Sequence, residues 1–274
     1  MELNTPFLFT EQDFKMIANL IYSEIGVSLH ENKKNLVYNR LIGRLRAKKL
    51  DSFEAYLEQL QDRDSPEWAC FINALTTNLT YFFRESYHFD LLADHMKTNF
   101  LTRSRSKPLK IWCSACSTGE EAYSIAMTMI EAFGTMSPPV KILATDINSD
   151  VLRTAKEGCY STGQLGSVSN EQLHRFFLKK TNNGTFEVKP EVKALISFKP
   201  LNLIDQKWPM KKKFDVIFCR NVLIYFDKIT QEKLLSKFAR YEDKGSLLFL
   251  GHSETFSHQQ TDFKLLCKTM YKRI

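Results

Sequence analysis

The rhythm of apolar positions changes partway along the chain. Up to about residue 77 apolar residues return every three or four positions. In FKMIANLIYSEI, Phe14, Ile17, Ile21 and Ile25 share one helical face that stops at Gly26, with Thr10 and Asp13 placed ahead of it as a capping box. The same spacing predicts a second helix over about 33–49 and a third from near Ser52, and Ser65-Pro66 is a good start for a fourth. A basic, Ser-rich stretch, TRSRSKPLK (102–110), suits a connection. Beyond it short β-rich runs alternate with helices: LKIWCSA, a helix over 119–134, VKILATD, a helix over 149–157, FDVIFCR, a helix over 229–240, and GSLLFLG. Such alternation predicts a parallel, doubly wound sheet with right-handed crossovers. The last run, FKLLCKTMYKRI, reads as a hairpin adding an antiparallel edge. Between the second and third strands, a short helix capped by Ser169 and Gln172 and the stretch KKTNNGTFEVKPEVKALISFKP, with Asn183-Gly184 as its turn, predict a small antiparallel insertion. The fold class is α/β: a helical N-terminal domain over 1–77, then a Rossmann-like domain over 78–274 carrying a β-insertion at about 160–200.

Composition narrows this picture only a little. With 274 residues, 43% hydrophobic and 12% aromatic, the chain suffices for one large domain and one small one. No apolar run approaches the roughly 18–20 residues of a membrane span. Glu2, Glu11 and Asp13 stand where an export signal would be basic, so the chain reads as soluble and unexported. Six cysteines, at 70, 113, 116, 159, 219 and 267, are too sparse for a disulfide framework and favour a reducing cytoplasm. The net charge of +7 is compatible with nucleic acid, an anionic surface or an acidic protein, and chooses none of them. It is concentrated, however: residues 31–49 hold seven basic residues and one acid. There Val37, Leu41 and Leu45 suit a core face, while Arg40, Arg44 and Lys48 form a basic stripe, either a solvated face or a dock for an acidic partner.

The stretch IWCSACSTGEEAYSIAM (111–127) admits two chemistries. Trp112, Cys113 and Cys116 have the spacing of a thiol-disulfide exchanger, whereas the small residues before Gly119, Glu120 and Glu121 resemble a nucleotide-binding loop running from a strand into a helix. Asp146 ends the next strand, 27 residues beyond Gly119, where nucleoside-binding folds place an acid on ribose hydroxyls. The blander readings are a helix cap for Asp146 and dipole-favoured first-turn acids for Glu120 and Glu121. Two glutamates repel a pyrophosphate, and both G-x-G-x-x-G and G-x-x-x-x-G-K-[ST] are missing. A ligand with a ribose, an amino group and a positive centre fits better, and S-adenosylmethionine has all three.

Several motifs, in order, resemble one family. LTTNLTYFFRESYHFDLL (75–92), IWCSACSTGEEAYSIAM, ILATDINSDVLRTAKEGCY (142–160), FDVIFCRNVLIYFD (214–227) and LLFLGHSETF (247–256) together are similar to the CheR-type chemotaxis receptor methyltransferases, over about 10–270. The resemblance implies a helical domain, a class I methyltransferase domain with an inserted β-subdomain, and methyl transfer from S-adenosylmethionine to glutamate side chains of chemoreceptors, leaving S-adenosylhomocysteine. It places cofactor contacts on Asn78, Thr80, Arg84, Glu121, Asp146, Asn202, Leu203, Arg220 and Asn221, and puts Arg84 and Tyr225 closest to the transferred methyl. The blander reading of Arg84 is a pair with Glu85 or Asp90, and of Tyr225 a place in the core. The resemblance further implies a monomeric cytoplasmic enzyme without a metal, with no nucleic acid and no membrane insertion. Its partner is the helical methylation region of chemoreceptors, met by the N-terminal domain, which favours Arg40, Arg44 and Lys48 as an electrostatic dock.

Two features depart from the family: the loop has one glycine and two thiols, and the hairpin at Asn183-Gly184 is short and lacks the G-x-G loop of relatives that dock a receptor's C-terminal peptide. Rival functions are a nucleic-acid methyltransferase, a redox or metal module on Cys113 and Cys116, and a noncatalytic cofactor-binding adaptor. Against the first, Arg220, Asn221, Val222 and Leu223 stand where amino-methylating enzymes carry [DN]-P-P-[YF]; against the second, no second CxxC or close His pair exists.

Overall fold

The predicted helical period is realised in the first elements. The computed structural model describes residues 7–99, 107–180, 184–255 and 262–274. Helix α1 (Glu11–Ile25) starts at the Thr10/Asp13 capping box, buries Phe14, Ile17, Ile21 and Ile25, and ends where Gly26 turns left-handed at φ 73°. Helix α2 (Lys34–Lys48) buries Val37, Leu41 and Leu45, and each such side chain contributes about 1.5–3 kcal/mol. Helices α3 (Phe53–Gln59) and α4 (Pro66–Leu75) are capped by Ser52 and Ser65, whose hydroxyls accept from Ala55 and Trp68 N–H.

These helices form one of two units into which the chain divides; it runs to Thr77 and takes in Tyr225–Thr230. That segment is held by backbone pairing between Val27 and Phe226, by the Ser28 N–H on the Tyr225 carbonyl (2.8 Å), and by the Tyr22 hydroxyl on Asp227 (2.6 Å).

The second unit, Asn78–Ile224 with Gln231–Ile274, opens with α5 (Tyr87–Asn99), an addition to the expected elements whose buried face is Phe89, Leu92 and Met96 with His88 beside them. Strands β1 (Leu109–Cys113) and β2 (Val140–Asp146) flank α6 (Glu120–Phe133), and α7 (Ser149–Glu157) follows. A small antiparallel sheet comes next, from β3 (Cys159–Ser161), β4 (Phe177–Lys179) and the central β5 (Thr185–Val188), with α8 (Asn170–Phe176) between β3 and β4. Ser169 and Gln172 do form the capping box of α8. Of the expected turn, Gly184 is left-handed at φ 70°, whereas Asn183 lies outside the described residues, as do 102–106 of the expected connection.

After the single turn α9 (Pro190–Lys193) come β6 (Ile196–Pro200), β7 (Phe214–Cys219), α10 (Lys228–Arg240), β8 (Glu242–Leu250) and the hairpin β9 (Phe263–Cys267) and β10 (Met270–Arg273). The seven-stranded sheet runs β6-β2-β1-β7-β8-β10-β9, parallel from β6 to β8 and antiparallel beyond. One expectation is corrected: ISFKP, assigned to the insertion, is β6, a parallel edge strand beside β2. Only Phe198 of β6 is buried, and such a half-exposed edge carries the same alternation as an antiparallel strand. Among the described residues, no helix is long and apolar enough to cross a membrane.

Candidate functional site

The carboxyl ends of β1, β2, β7 and β8 lie side by side in the sheet, so the loops that leave them form one rim. On the loop after β1, Cys116 N–H donates to the Thr145 carbonyl (2.8 Å), Ser117 N–H to the Asp146 carboxylate (2.8 Å), and Ser117 Oγ to the Asn78 carbonyl (2.8 Å). Its one glycine is required: Gly119 has φ 101°, and a Cβ there would lie 2.9 Å from that of Ala155 and 3.0 Å from the Tyr160 hydroxyl.

The thiols of this loop do not make a redox or metal centre. Cys113 and Cys116 are fully buried and unbridged, and burial first, then the neighbouring acids, pushes both thiols well above their usual range. A neutral, inaccessible thiol is a poor nucleophile and a poor metal ligand. Cys113 instead donates to Glu121 (3.2 Å), and among the described residues no three His, Cys, Asp or Glu side chains gather as a metal set. Trp112 is core: its indole N–H donates to Thr145 Oγ1 (2.9 Å) and its ring packs on Trp208 and Phe238.

The acids beside the loop suit a donor-rich ligand. Asp146 accepts from Ser117 and Asn148 N–H (2.8 and 3.0 Å), so it shapes both loops at once, and burial still pushes its carboxyl up. Burial does the same to Glu121, opposed by the Arg220 charge. Ribose hydroxyls and an ammonium group would supply the donors these buried acids favour, and Gly119 lets the backbone approach closely, so the residues fit S-adenosylmethionine. Glu120 is the blander case: its carboxylate accepts from Thr118 Oγ1 (2.6 Å) beside its own helix start.

Arg220, after β7, is the hub. Its side chain is fully buried; Nη1 donates to Glu121 (3.0 Å), while Nη2 donates to the Arg84 carbonyl and pairs with Glu85 (3.2 Å). Glu85 also accepts from Asn221 Nδ2 (3.2 Å) and from the backbone N–H and Nδ1 of His252 (3.0 Å each). Burial alone would raise the Glu85 carboxyl, but the His252 hydrogen bond, the Arg220 charge and Asn221 hold it at about 2. Glu254 locks the loops after β7 and β8 together by accepting from Gly251 (2.6 Å), Asn221 (2.8 Å) and Ile224 (3.3 Å) N–H groups. The blander reading of Arg84 is thereby corrected for Glu85, which turns to Arg220. Arg84 itself donates to the Leu79 carbonyl (2.9 Å) over the Tyr81 ring and makes no ion pair among the described residues, although its charge acts on the Glu121 carboxyl.

Hydrogen bonds thus join Asn78 to Asp146 through Ser117, and separately join Arg84, Glu121, Arg220 and Asn221 through Arg220 and Glu85, with half-buried Thr80 in the same segment as Asn78 and Arg84. Asn202 and Leu203 follow β6, where Leu201 N–H donates to the Asp146 carbonyl (3.0 Å); Asn202 Oδ1 accepts from Ile204 N–H (3.2 Å) and Leu203 is buried. Tyr225 is half-buried, groups with the helical unit, and is not part of this hydrogen-bonded set. Glu85, His252, Glu254 and Ser117 escape the sequence reading. All four lie within the quoted motifs, but only Glu85 had a stated partner, Arg84, and that pointed to the wrong arginine.

The basic stripe is corrected in part. Arg40 donates to the Leu75 and Thr76 carbonyls (2.7 and 3.1 Å) and so caps the end of α4. Arg44 grips Glu67 with two hydrogen bonds (2.9 and 2.6 Å), joined by Lys48 (3.1 Å) and the Tyr56 hydroxyl (2.8 Å). Burial would raise Glu67, which is only 3% exposed, yet Arg44, Tyr56 and Lys48 outweigh it and hold the carboxyl below its usual range. Arg40 and Arg44 thus hold helices together, while Lys48 reaches Glu67 from an exposed position.

Comparison with known proteins shows the family. Residues 78–272 match the family described as CheR methyltransferase, SAM binding domain, and residues 12–76 match CheR methyltransferase, all-alpha domain. A chemotaxis protein methyltransferase of Escherichia coli (strain K12) is 42% identical over 99% of this chain and 94% of its own length. Chemotaxis protein methyltransferase 2 of Pseudomonas aeruginosa is 44% identical, over 98% and 95% respectively.

Proposed function

The chain belongs to the CheR methyltransferase family, and from that premise we propose that the acceptors of its methyl group are glutamate side-chain carboxylates in the helical methylation region of chemoreceptors. It is an S-adenosylmethionine-dependent methyltransferase of chemotaxis, and S-adenosylhomocysteine is the product left behind. The observation that carries the choice of acceptor is Arg84, a cation in the site segment that makes no ion pair among the described residues. An incoming carboxylate offers it charge-assisted hydrogen bonds.

The bound cofactor supplies an electrophilic methyl on a sulfonium. A glutamate carboxylate, with an ordinary pKa of about 4.3, is already ionised at neutral pH, so the chain needs no general base. Its residues bind and orient. Asp146 and Glu121 take the donors of the cofactor, Arg84 holds the acceptor, Tyr225 orients the reacting ends, and Thr80, Asn202 and Leu203 line the cofactor. Orientation of this kind is worth up to about 7–11 kcal/mol for well-placed groups, and removal of water from the carboxylate adds to it.

All of these residues come from one chain, so a monomer suffices, and the setting is the cytoplasm. In the helical unit Arg40, Arg44 and Lys48 are three cations against the one buried carboxylate of Glu67, and the Lys48 side chain is 39% exposed. The stripe keeps positive charge for an acidic partner helix even after its internal pairing. The test is incubation with radiolabelled S-adenosylmethionine and, in parallel, receptor cytoplasmic fragments and nucleic acid. Base-labile label on the receptor fragment supports glutamate methyl esters. Base-stable label, or label on nucleic acid, refutes them.

A further inference from the structure

We propose that Glu85 is a positioning residue for methyl transfer, acting through Arg220 and Asn221 to set Arg84 and Glu121, with His252 as the outer arm of the same latch. The proposal rests on the methyl-transfer reading above.

Its first support is the backbone. Phe83 and Glu85 are non-glycine residues at φ 53° and 55°, on either side of Arg84. Left-handed residues of this kind cost about 1–3 kcal/mol each and persist only when their surroundings enforce them. The Glu85 carboxylate is a large part of that enforcement. Its two oxygens take Arg220 and Asn221 from the loop after β7 and both donors of His252 from the loop after β8. These two loops are already tied to one another, since Glu254 collects three of their N–H groups. A Cβ on Gly251 would fall 2.6 Å from Asn221 Nδ2, so glycine is what lets the two loops approach this closely. Glu85 fastens the Arg84 segment to this rigid pair.

Its second support is how Arg220 is shared. The buried guanidinium lies over the Phe89 ring, its Nε has no partner among the described residues, and its remaining donors divide between Glu121, Glu85 and the Arg84 carbonyl. With Glu85 neutral or absent, Arg220 is left with Glu121 as its carboxylate. It then draws toward the cofactor side and away from the Arg84 backbone. A residue that merely satisfied a buried arginine would affect stability alone. One that positions the site changes cofactor affinity and turnover in protein that is still folded.

The experiment measures S-adenosylhomocysteine affinity by calorimetry, and kcat and receptor KM with a receptor cytoplasmic fragment, for wild type, Glu85→Gln and His252→Ala. Glu85→Gln keeps the shape and loses the charge. We expect its cofactor affinity to fall about tenfold, the scale of one charged hydrogen bond. Its kcat at saturating cofactor should fall between about 10- and 100-fold, as for a small misplacement of reacting groups, with receptor KM unchanged. His252 has a side chain 67% exposed, so His252→Ala removes one arm without a core hole and should lower kcat in the same direction by a smaller factor. Folded Glu85→Gln with wild-type affinity and kcat overturns the proposal. If Glu85→Gln fails to fold, wild-type kcat in His252→Ala overturns it instead. Should wild type yield no base-labile label on the receptor fragment, the acceptor assignment fails, and the affinity of Glu85→Gln still decides the positioning role.

Discussion

Reversing the charge of Arg44 separates two accounts of the basic stripe. If the stripe were only a docking face, Arg44→Glu would weaken receptor binding and leave the fold alone. The structure gives a different outcome. Arg44 supplies two of the hydrogen bonds to Glu67, a carboxylate only 3% exposed that also ties in Tyr56 of α3 and Lys48 of α2. Removing one partner of a buried pair costs about 3–5 kcal/mol. Arg44 keeps 29% of its side chain exposed and Lys48 remains beside Glu67, so Arg44→Ala belongs at the lower end, about 3 kcal/mol. Arg44→Glu adds a second carboxylate beside the first and belongs at the upper end, a large share of a total domain stability of about 5–15 kcal/mol.

Urea unfolding followed by far-ultraviolet circular dichroism reads these losses, and an acid titration checks their origin. The Glu67 carboxyl is held below its ordinary 4.5 in the folded chain, so its contribution is fully present above about 4.5 and disappears as pH falls through the lower folded value. Arg44→Ala should flatten that acid dependence. Lys48→Gln, which spares the Arg44–Glu67 bonds, should cost under about 1 kcal/mol and raise receptor KM at low salt. Arg44→Glu with a wild-type urea midpoint and a raised receptor KM refutes the buried-pair account.

Three further outcomes follow from the second unit. Asp146→Ala removes the acceptor for Ser117 and Asn148 N–H as well as the proposed cofactor contact, and calorimetry should show S-adenosylhomocysteine affinity lower by at least about tenfold, one charged hydrogen bond being worth about 1.5–3 kcal/mol; unchanged affinity removes Asp146 from the site. The double variant Cys113→Ala, Cys116→Ala should keep cofactor affinity and most activity, and in wild type both thiols should resist a thiol reagent until the chain unfolds; loss of activity with the fold intact sinks the space-filling reading. Glu242 is buried with both carboxylate oxygens unpartnered among the described residues, and burial pushes it well above 4.5, so the folded state holds its proton where the unfolded state has released it, and stability falls as pH rises from about 4.5. Glu242→Met should therefore raise the melting temperature at pH 8, by an amount that shrinks towards pH 4, and a lower melting temperature at pH 8 would refute this.

What the sequence disclosed and what it withheld differ in physical kind. Periodic burial was legible: Phe14, Ile17, Ile21 and Ile25 are the buried face of α1, and the capping boxes at Thr10 and Ser169 form as their spacing predicts. The local chemistry of a strand-to-helix loop was legible too, since Gly119 and Asp146 are fixed by contacts of short range in the sheet. Elements whose pattern is shared by two structures were not, and ISFKP reads alike as an insertion strand and as the half-exposed parallel edge β6. Long-range pairing was least legible of all. Glu85 and Arg220 lie 135 positions apart in sequence, and nothing in either motif states that the carboxylate beside Arg84 belongs to the arginine after β7. The internal pairing of the basic stripe was hidden for the same reason, because Glu67 is the one charged residue of α4 and signals nothing until α2 packs against it. In both places a buried acid decides what a basic residue can do. Arg44 and Arg220 are committed inside the fold, whereas Arg84 makes no ion pair among the described residues and is the cation proposed to meet an incoming carboxylate.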